Sequence, residues 1–308
     1  MYKGVSMTHL KRKIVFIINP VAGHGKTIEM LPIIKSKMSA VSDDIDYEIQ
    51  ISKNVGDISV IVRNNYEAGV REFVAVGGDG SLSEMINGFS FPCDPIPSIA
   101  ILPLGSGNDF IKNTVEKKEI DRIFDAIILN KKQLIDVGKV NDYYFINVCS
   151  FGIDGPIIKD TDKLKKILPG QMSYLTSTLK GGITFKPSQV EVKVDGVHYS
   201  GKMILIAIGN GQYFGGGMKI CPDAKYDDGL LEVCLVNNVS KLKFMSKISK
   251  VYSGELHQIE EVSYIKGKQI SIDVKGQQYL INVDGNLLGL TPAQISILEK
   301  SVYYFTNS

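Results

Sequence analysis

Cysteine is scarce in this chain of 308 residues, and Cys93, Cys149, Cys221 and Cys234 stand far apart. They form no CxxC pair, and His24, His198 and His257 are too dispersed to build a metal centre with them. Thiol-metal chemistry is set aside, and buried free thiols in a reducing compartment are expected. Charge of one sign is not in excess either. Lys and Arg total 35 against 33 Asp and Glu, a net charge of +2, with the basic residues dispersed. No nucleic-acid footprint is expected from that balance. Long apolar runs are missing too, since no window approaches the roughly 18 residues of a membrane helix. Lys11-Arg12-Lys13 before Ile14–Ile18 imitates a signal peptide, but its apolar stretch is five residues long and meets Asn19-Pro20. That is too short for export. It reads as the first β-strand of a soluble protein. Internal repeats and low-complexity tracts are absent as well.

What is present is ample core material. Hydrophobic residues make up 44% and charged residues 22% of the chain, and its length suits roughly two domains. Apolar runs at Ile14–Ile18, Tyr47–Ile51, Phe73–Val76 and Ile99–Leu102 are each followed by a helical pattern. That βαβ rhythm predicts a parallel sheet with its sites at the carboxyl ends of the strands. After about residue 131 the rhythm changes. Val190, Val192 and Val194 alternate with charged residues, Asp195-Gly196 turns the chain, and Met203–Ile208 returns, a β-hairpin signature. Runs at Tyr143–Val148, Leu230–Val236, Ile270–Val274 and Tyr279–Val283 predict a largely antiparallel, sandwich-like second domain. Helical segments are expected near Ile157–Thr184 and Lys241–Tyr252.

The most informative stretch is Val74-Ala75-Val76-Gly77-Gly78-Asp79-Gly80-Ser81-Leu82-Ser83-Glu84. A buried strand stops at two glycines, and an acid and a third glycine precede a helix. Such a corner lets backbone N–H groups approach a phosphate, because glycine has no Cβ to hold it away. Asp79 adds a carboxylate able to hold Mg²⁺. A second corner, Asn19-Pro20-Val21-Ala22-Gly23-His24-Gly25-Lys26, tempts a Walker A reading. Pro20 stands where that pattern needs glycine, so the reading fails. A third corner, Pro103–Asp109, offers Ser106 and Asn108 as donors to a nucleotide or, equally, as helix caps. Each corner alone is a weak signal; three on successive strand ends are a strong one. Read by themselves, Asp227-Asp228-Gly229 and Asp284-Gly285 are ordinary turns. Lys241–Lys250 places Leu242, Met245 and Ile248 at helical spacing among four lysines. That pattern suits a core-covering helix better than a membrane-surface one. Neither Met218 nor His24 draws a special role.

In these motifs the chain resembles the bacterial diacylglycerol-kinase-like lipid kinases, with eukaryotic sphingosine and diacylglycerol kinases as wider relatives. The resemblance rests on Asn19-Pro20 with Gly23 and Gly25, on Gly77–Glu84 and on Pro103–Asp109. In the second half it rests on Gly215–Met218, Cys221–Ala224, Asp227–Leu230 and Val283–Gly285, and it spans about residues 13–300. NAD kinases look similar at Gly-Gly-Asp-Gly but lack the Gly-Ser-Gly-Asn-Asp corner. The resemblance implies an α/β nucleotide-binding domain like that of phosphofructokinases and NAD kinases, followed by an antiparallel β-sandwich. Its boundaries would be 11–132, with a C-terminal return at about 294–308, and 133–293. ATP would lie among Asn19, Pro20, Gly23, Gly25, Ser52, Gly78, Asp79, Gly80, Ser81, Glu84, Ser106 and Asn108. Asp79 would act through Mg²⁺ and water. A second Mg²⁺ site would take the Asp228 carboxylate and the Lys225 and Leu230 carbonyls.

The implied reaction moves the γ-phosphate of ATP to a lipid hydroxyl, diacylglycerol by default, at the inner face of the membrane. Asp284 is the choice for general base, because phosphoryl transfer needs a carboxylate to accept the hydroxyl proton. One position departs from the family. Asn286 stands where a Glu, often regarded as the base, is usual, and an amide cannot take up a proton at physiological pH. Either Asp284 serves as base, or the enzyme is slow, or the chain is a binding protein without turnover. A kinase for another alcohol, such as NAD or a small soluble acceptor, is a further alternative. A homodimer stays open.

Overall fold

A computed structural model describes residues 11–114, 119–164, 177, 180–181, 184–240, 243, 246–247 and 249–307. The opening apolar run becomes β1 (Arg12–Ile18), in which Ile14 to Ile18 are fully buried. Strands covered on both faces have no polar side, so their sequences read as unbroken apolar runs. The helices α1 (Met30–Ser39), α2 (Asp57–Glu67) and α3 (Asp79–Ile86) link β1 to β2 (Ile45–Ile51), β3 (Glu72–Gly77) and β4 (Ser98–Pro103). All pairings are parallel, in the order β2-β1-β3-β4. The carboxyl ends of these strands therefore share one edge, and the corners that follow them gather there. α4 (Ile120–Ile128) covers the sheet, and its Phe124 stacks on Phe16 with ring centroids 6.2 Å apart. Each such fully buried aromatic contributes about 1.5–3 kcal/mol.

The second half is antiparallel. It runs through β5 (Lys132–Val140), β6 (Tyr143–Phe145), β7 (Val148–Gly152), α5 (Asp154–Leu164), β8 (Ser188–Val194) and β9 (Val197–Gly209). Short β10 (Tyr213–Phe214) and β11 (Met218–Lys219) precede β12 (Leu231–Asn237), β13 (Val262–Gly267) and β14 (Gln269–Lys275). β15 (Leu280–Val283), β16 (Asn286–Leu290) and β17 (Ala293–Phe305) close the chain. The β8–β9 hairpin forms as its Asp-Gly signal predicts, with Asp195 at φ 47° and Gly196 at φ 86°.

β17 joins the halves. Its first residues pair with β14, β5 lies along it antiparallel, and Tyr303 and Tyr304 pair in parallel with Ser98 and Ile99 of β4. A 15-stranded sheet thus runs through both halves, where separate sheets would be the simpler expectation. Behind it one apolar core lies under β1–β4 and a second between the antiparallel strands.

Two expectations need correction. Tyr143–Val148 is not one strand, because β6 ends at Phe145 and β7 begins at Val148. The N–H groups of Ile146, Asn147 and Val148 turn to a single carboxylate, that of Asp284, and the strand ladder is interrupted there. The helical segment expected over Ile157–Thr184 begins earlier, at Asp154; α5 is described to Leu164, and Ser177, Lys180, Gly181 and Thr184 further on are helical as expected. Of the lysine-rich helix expected over Lys241–Tyr252, the described residues Lys243, Ser246, Lys247 and Ser249–Tyr252 are helical, while Leu242, Met245 and Ile248 lie outside the described residues. The cysteines are free thiols, with Cys149, Cys221 and Cys234 buried. Among the described residues no helix is long and apolar enough to cross a membrane.

Candidate active site between the two halves

The glycine corners pack on one another before they meet any ligand. A Cβ on Gly23 would lie 2.2 Å from the Leu104 carbonyl oxygen, so the first corner nests against the third. The second and third corners touch through bare backbone, since a Cβ on Gly105 would lie 2.5 Å from the Gly78 Cα. A Cβ on Gly25, at φ 86°, or on Gly80 would meet nothing within 4 Å, so the backbone there faces open space. Glycine therefore serves two purposes here: some let the corners interlock, and others leave bare backbone facing open space. Gly105→Ala is expected to force the corners apart, at a cost of about 1–3 kcal/mol typical of overpacking. A lower melting temperature together with weaker ATP binding would be measured, and Gly80→Ala should show no comparable loss of stability.

Side chains reinforce that interlock. Asn19 donates its amide to Ser81 Oγ at 3.1 Å, and Thr27, fully buried, donates its hydroxyl to the Asn19 carbonyl at 2.7 Å. Ser52 is buried at the end of β2 with its N–H on the Ile18 carbonyl. Glu84 accepts the Gly56 N–H at 3.0 Å, and burial raises its carboxyl above the usual range. Pro20 follows Asn19 directly, and Ser106 is exposed. Asn108 departs from the expected donor role. Its side-chain amide donates to the Pro103 and Gly105 carbonyls at 3.3 and 2.7 Å, at φ 49°, so both side-chain N–H bonds are spent on closing its own loop. Thr27 carries no glycine or acid signal, and its role depends on a contact across eight residues.

Asp79 begins α3, where the helix dipole favours an acid. Its Oδ1 accepts the Phe110 N–H at 3.0 Å. Burial, then the charge of Asp109, raises its pKa. Facing it from the other half is Asp284, in the β15–β16 turn at φ 47°. Although the residue keeps partial exposure, its carboxylate is sunk against backbone. Oδ2 accepts the Ile146 N–H at 2.9 Å, and Oδ1 accepts those of Asn147 at 3.2 Å and Val148 at 2.9 Å. Burial pushes its pKa up to about 7 against the pull of the N–H groups, and the Asp79 charge adds to the rise. Both acids line one cavity of about 220 Å³, with Asp109 and Gly216 in its wall. Asp109 ties the halves together, pairing with Lys112 at 2.6 Å and accepting the Gly216 N–H at 2.7 Å. Asn286 also bridges them, donating to Ser83 Oγ of α3 at 3.2 Å.

Asp228, Lys225 and Leu230 lie elsewhere, and none of them lines that cavity. Asp228 Oδ1 accepts the Leu230 N–H at 3.1 Å, and Oδ2 pairs with Lys266 at 3.1 Å. Behind this turn Asp136, which no local pattern marks, accepts the N–H groups of Gly229 and Lys300, both at 2.7 Å. No group of three or more His, Cys, Asp or Glu is arranged to hold a metal among the described residues.

A second cavity of about 100 Å³ adjoins the first and is almost wholly apolar. Ile153, Ile157, Ile204, Phe214 and Met218 form much of its wall, so Met218 acquires a place that the sequence does not suggest. Asp154 borders both cavities.

A glycine-rich edge and two acids thus lie beside an apolar hollow. The diacylglycerol kinase catalytic domain model matches residues 13–140. The YegS C-terminal NAD kinase beta sandwich-like domain model matches residues 147–304. The chain belongs to the bacterial diacylglycerol-kinase-like lipid kinase family. It is 27% identical over 241 residues to a diacylglycerol kinase of Bacillus subtilis (strain 168), covering 77% of this chain and 79% of that one. To "Probable lipid kinase YegS" of Shigella flexneri it is 28% identical over 283 residues, covering 91% and 92%. A crystal structure of a diacylglycerol kinase from Bacillus anthracis str. Sterne superposes with TM-score 0.79 at 27% identity, covering 96% and 97%. The expected fold class, an α/β domain followed by a β-sandwich-like one, is what these similarities and the structure have in common.

Proposed function

We propose that this chain transfers the γ-phosphate of ATP to a lipid hydroxyl, with diacylglycerol as the reference acceptor. The carrying observation is that Asp79 and Asp284, from opposite halves, line one cavity that adjoins an apolar one. Residues 11–132 with the return at 294–308 would bind ATP, and 133–293 would bind the lipid. In the reaction the lipid oxygen bonds to the γ-phosphorus, the bond from γ-phosphorus to the bridging oxygen breaks, and ADP departs. The hydroxyl proton passes to Asp284, whose raised pKa makes it a competent acceptor near neutrality. The three backbone N–H groups hold that carboxylate in one orientation. The open backbone at Gly25 and Gly80 suits the phosphates.

Mg²⁺ fits the first site at Asp79, a hard oxygen donor, while an ion that also took Asp109 would compete with Lys112. When bound, the ion screens the triphosphate charge. At the second site Asp228 offers a carboxylate too, but an ion there would compete with Lys266. The enzyme would work at the cytoplasmic face of a membrane, where its acceptor resides. Labelled ATP with mixed diacylglycerol micelles tests the proposal, and labelled phosphatidic acid is the expected product.

Asn286 favours one second reading, a nucleotide- or lipid-binding protein without turnover. ATP-dependent thermal stabilisation with no product over hours would support it. If Asp284 is the base, Asn286→Glu raises kcat or leaves it unchanged. The Ser83 hydroxyl can rotate to donate to the new carboxylate, so the bridge between the halves survives.

A further inference from the structure

Asp79 and Asp284 come from opposite halves of the chain, and a pair of asparagines stands between them. Asn113 closes the short 3₁₀ turn Phe110–Asn113. Phe110 holds Asp79 with its N–H at 3.0 Å, and its carbonyl accepts the Asn113 side-chain amide at 3.0 Å. The same amide crosses to the second half and donates to Asn147 Oδ1 at 3.2 Å. Asn147, only 5% exposed, directs its backbone N–H at Asp284 Oδ1 at 3.2 Å. Four hydrogen bonds thus run without a break from one acid to the other.

Backbone partners dictate how both amides are turned. Asn113 Oδ1 accepts the Gln212 N–H at 2.8 Å, and Asn147 Nδ2 donates to the Tyr213 carbonyl at 2.5 Å. An N–H only donates and a carbonyl only accepts, so the nitrogen of Asn113 faces the oxygen of Asn147. The peptides around Asn147 are held from behind as well. The Asn147 carbonyl accepts the N–H groups of Asn210 and Gly211, both at 2.9 Å, and the Ile146 carbonyl accepts the Asn210 amide at 2.9 Å. Those two peptides carry the Asn147 and Val148 N–H groups that hold Asp284. Gly211 lies against the asparagine pair, since a Cβ there would fall 2.0 Å from Asn147 Oδ1 and 2.8 Å from Asn113 Nδ2.

Resting on the lipid-kinase reading, we infer that Asn113 and Asn147 are positioning residues that set Asp284 relative to Asp79. They act through the Phe110 and Asn147 N–H groups, not on the phosphoryl group itself. Other contacts fasten the halves: Asn87 with Tyr144, Asn286 with Ser83 and Asp109 with Gly216. Without the asparagine pair the halves stay docked, but the acids lose their shared reference. Transfer depends on placing the attacking oxygen in line with the phosphorus, and a misplacement of about 1 Å can cost about 10²-fold.

Asn113→Ala is expected to lower kcat about 10–100-fold, while its dissociation constant for ATP stays that of the parent. Asn147→Ala should behave alike. Because each breaks the same path, the double variant should be no slower than the slower single one. Gly211→Ala leaves both amides in place but crowds their contact, so its kcat should fall too. Labelled ATP with mixed diacylglycerol micelles gives kcat, calorimetric titration gives ATP affinity, and a melting curve reports the fold. An Asn113→Ala kcat within about twofold of the parent, or losses that multiply in the double variant, overturns the inference. ATP affinity lost in step with kcat does so too, since the pair is then a plain fastener. Where Asn147→Ala fails to fold, the half-buried Asn113 decides alone; failure of both to fold also makes the pair a fastener and overturns the inference. In each of these cases the kinase reading stands on the parent's own activity. No transfer by the parent to any lipid removes that reading and this one together.

Discussion

Asp284→Asn is expected to lower kcat by about 10²–10⁴-fold, the range that general base catalysis supplies. The substitution removes the only group at this turn able to take a proton, and Asn286 cannot replace it. The intact protein should also show a matching pH dependence. With a pKa pushed up to about 7, Asp284 is protonated below neutrality and cannot accept the lipid proton. The rate constant kcat/KM should therefore fall as pH drops through about 7 and level off above it. A steady-state series across that range, with diacylglycerol micelles and labelled ATP, checks both results. An active Asp284→Asn enzyme, or a flat profile from pH 6 to pH 8 (a span chosen around the roughly neutral pKa), would falsify the assignment of the base.

Asp79→Ala should abolish transfer while the fold persists. The side chain accepts the Phe110 N–H at 3.0 Å and is also held by the Asp109 N–H, with the Asp109 carboxylate and the Lys112 ammonium nearby. Its removal relieves repulsion at Asp109 and Asp284, which offsets the lost hydrogen bonds and keeps the melting temperature close to that of the parent. The same relief has a direction at the base. Asp79 is one cause of the raised Asp284 pKa, so any residual activity of Asp79→Asn should titrate at lower pH than the parent. Labelled-ATP turnover and a melting curve on the same preparation separate loss of chemistry from loss of fold. Full activity in the alanine variant would remove Asp79 from the mechanism.

Much of the first half is legible without coordinates. Ile14–Ile18 and Phe73–Val76 are unbroken apolar runs because both faces of their strands are covered, and that burial leaves its mark residue by residue. Asp195-Gly196 announces its hairpin, since few other pairs accept two positive φ angles. The acids Asp79 and Asp284 are also legible, each beside a glycine in a turn. What stays hidden depends on distant partners. Thr27 is one polar residue among several in its corner, Asp136, Ser150, Asp154 and Asn282 are single polar residues among apolar ones, and nothing local distinguishes them. The split of Tyr143–Val148 cannot be read locally because its cause, Asp284, lies 136 residues beyond Val148. Asn108 reads as a donor to ligand because its competing acceptors, Pro103 and Gly105, become available only at a left-handed backbone angle.

Taken alone, the order of residues determined which segments are strands, where the glycine corners fall, and which acids stand in turns. These follow from backbone sterics and burial periodicity, which act over a few positions. Only the folded chain decided that Gly78 and Gly105 meet backbone to backbone, that Asp79 and Asp284 share a cavity, and that Asp154 borders an apolar one. The meeting of Asp79 and Asp284 belongs to β17, which draws the second half against β4, and distances across such a junction are written in no single stretch of sequence.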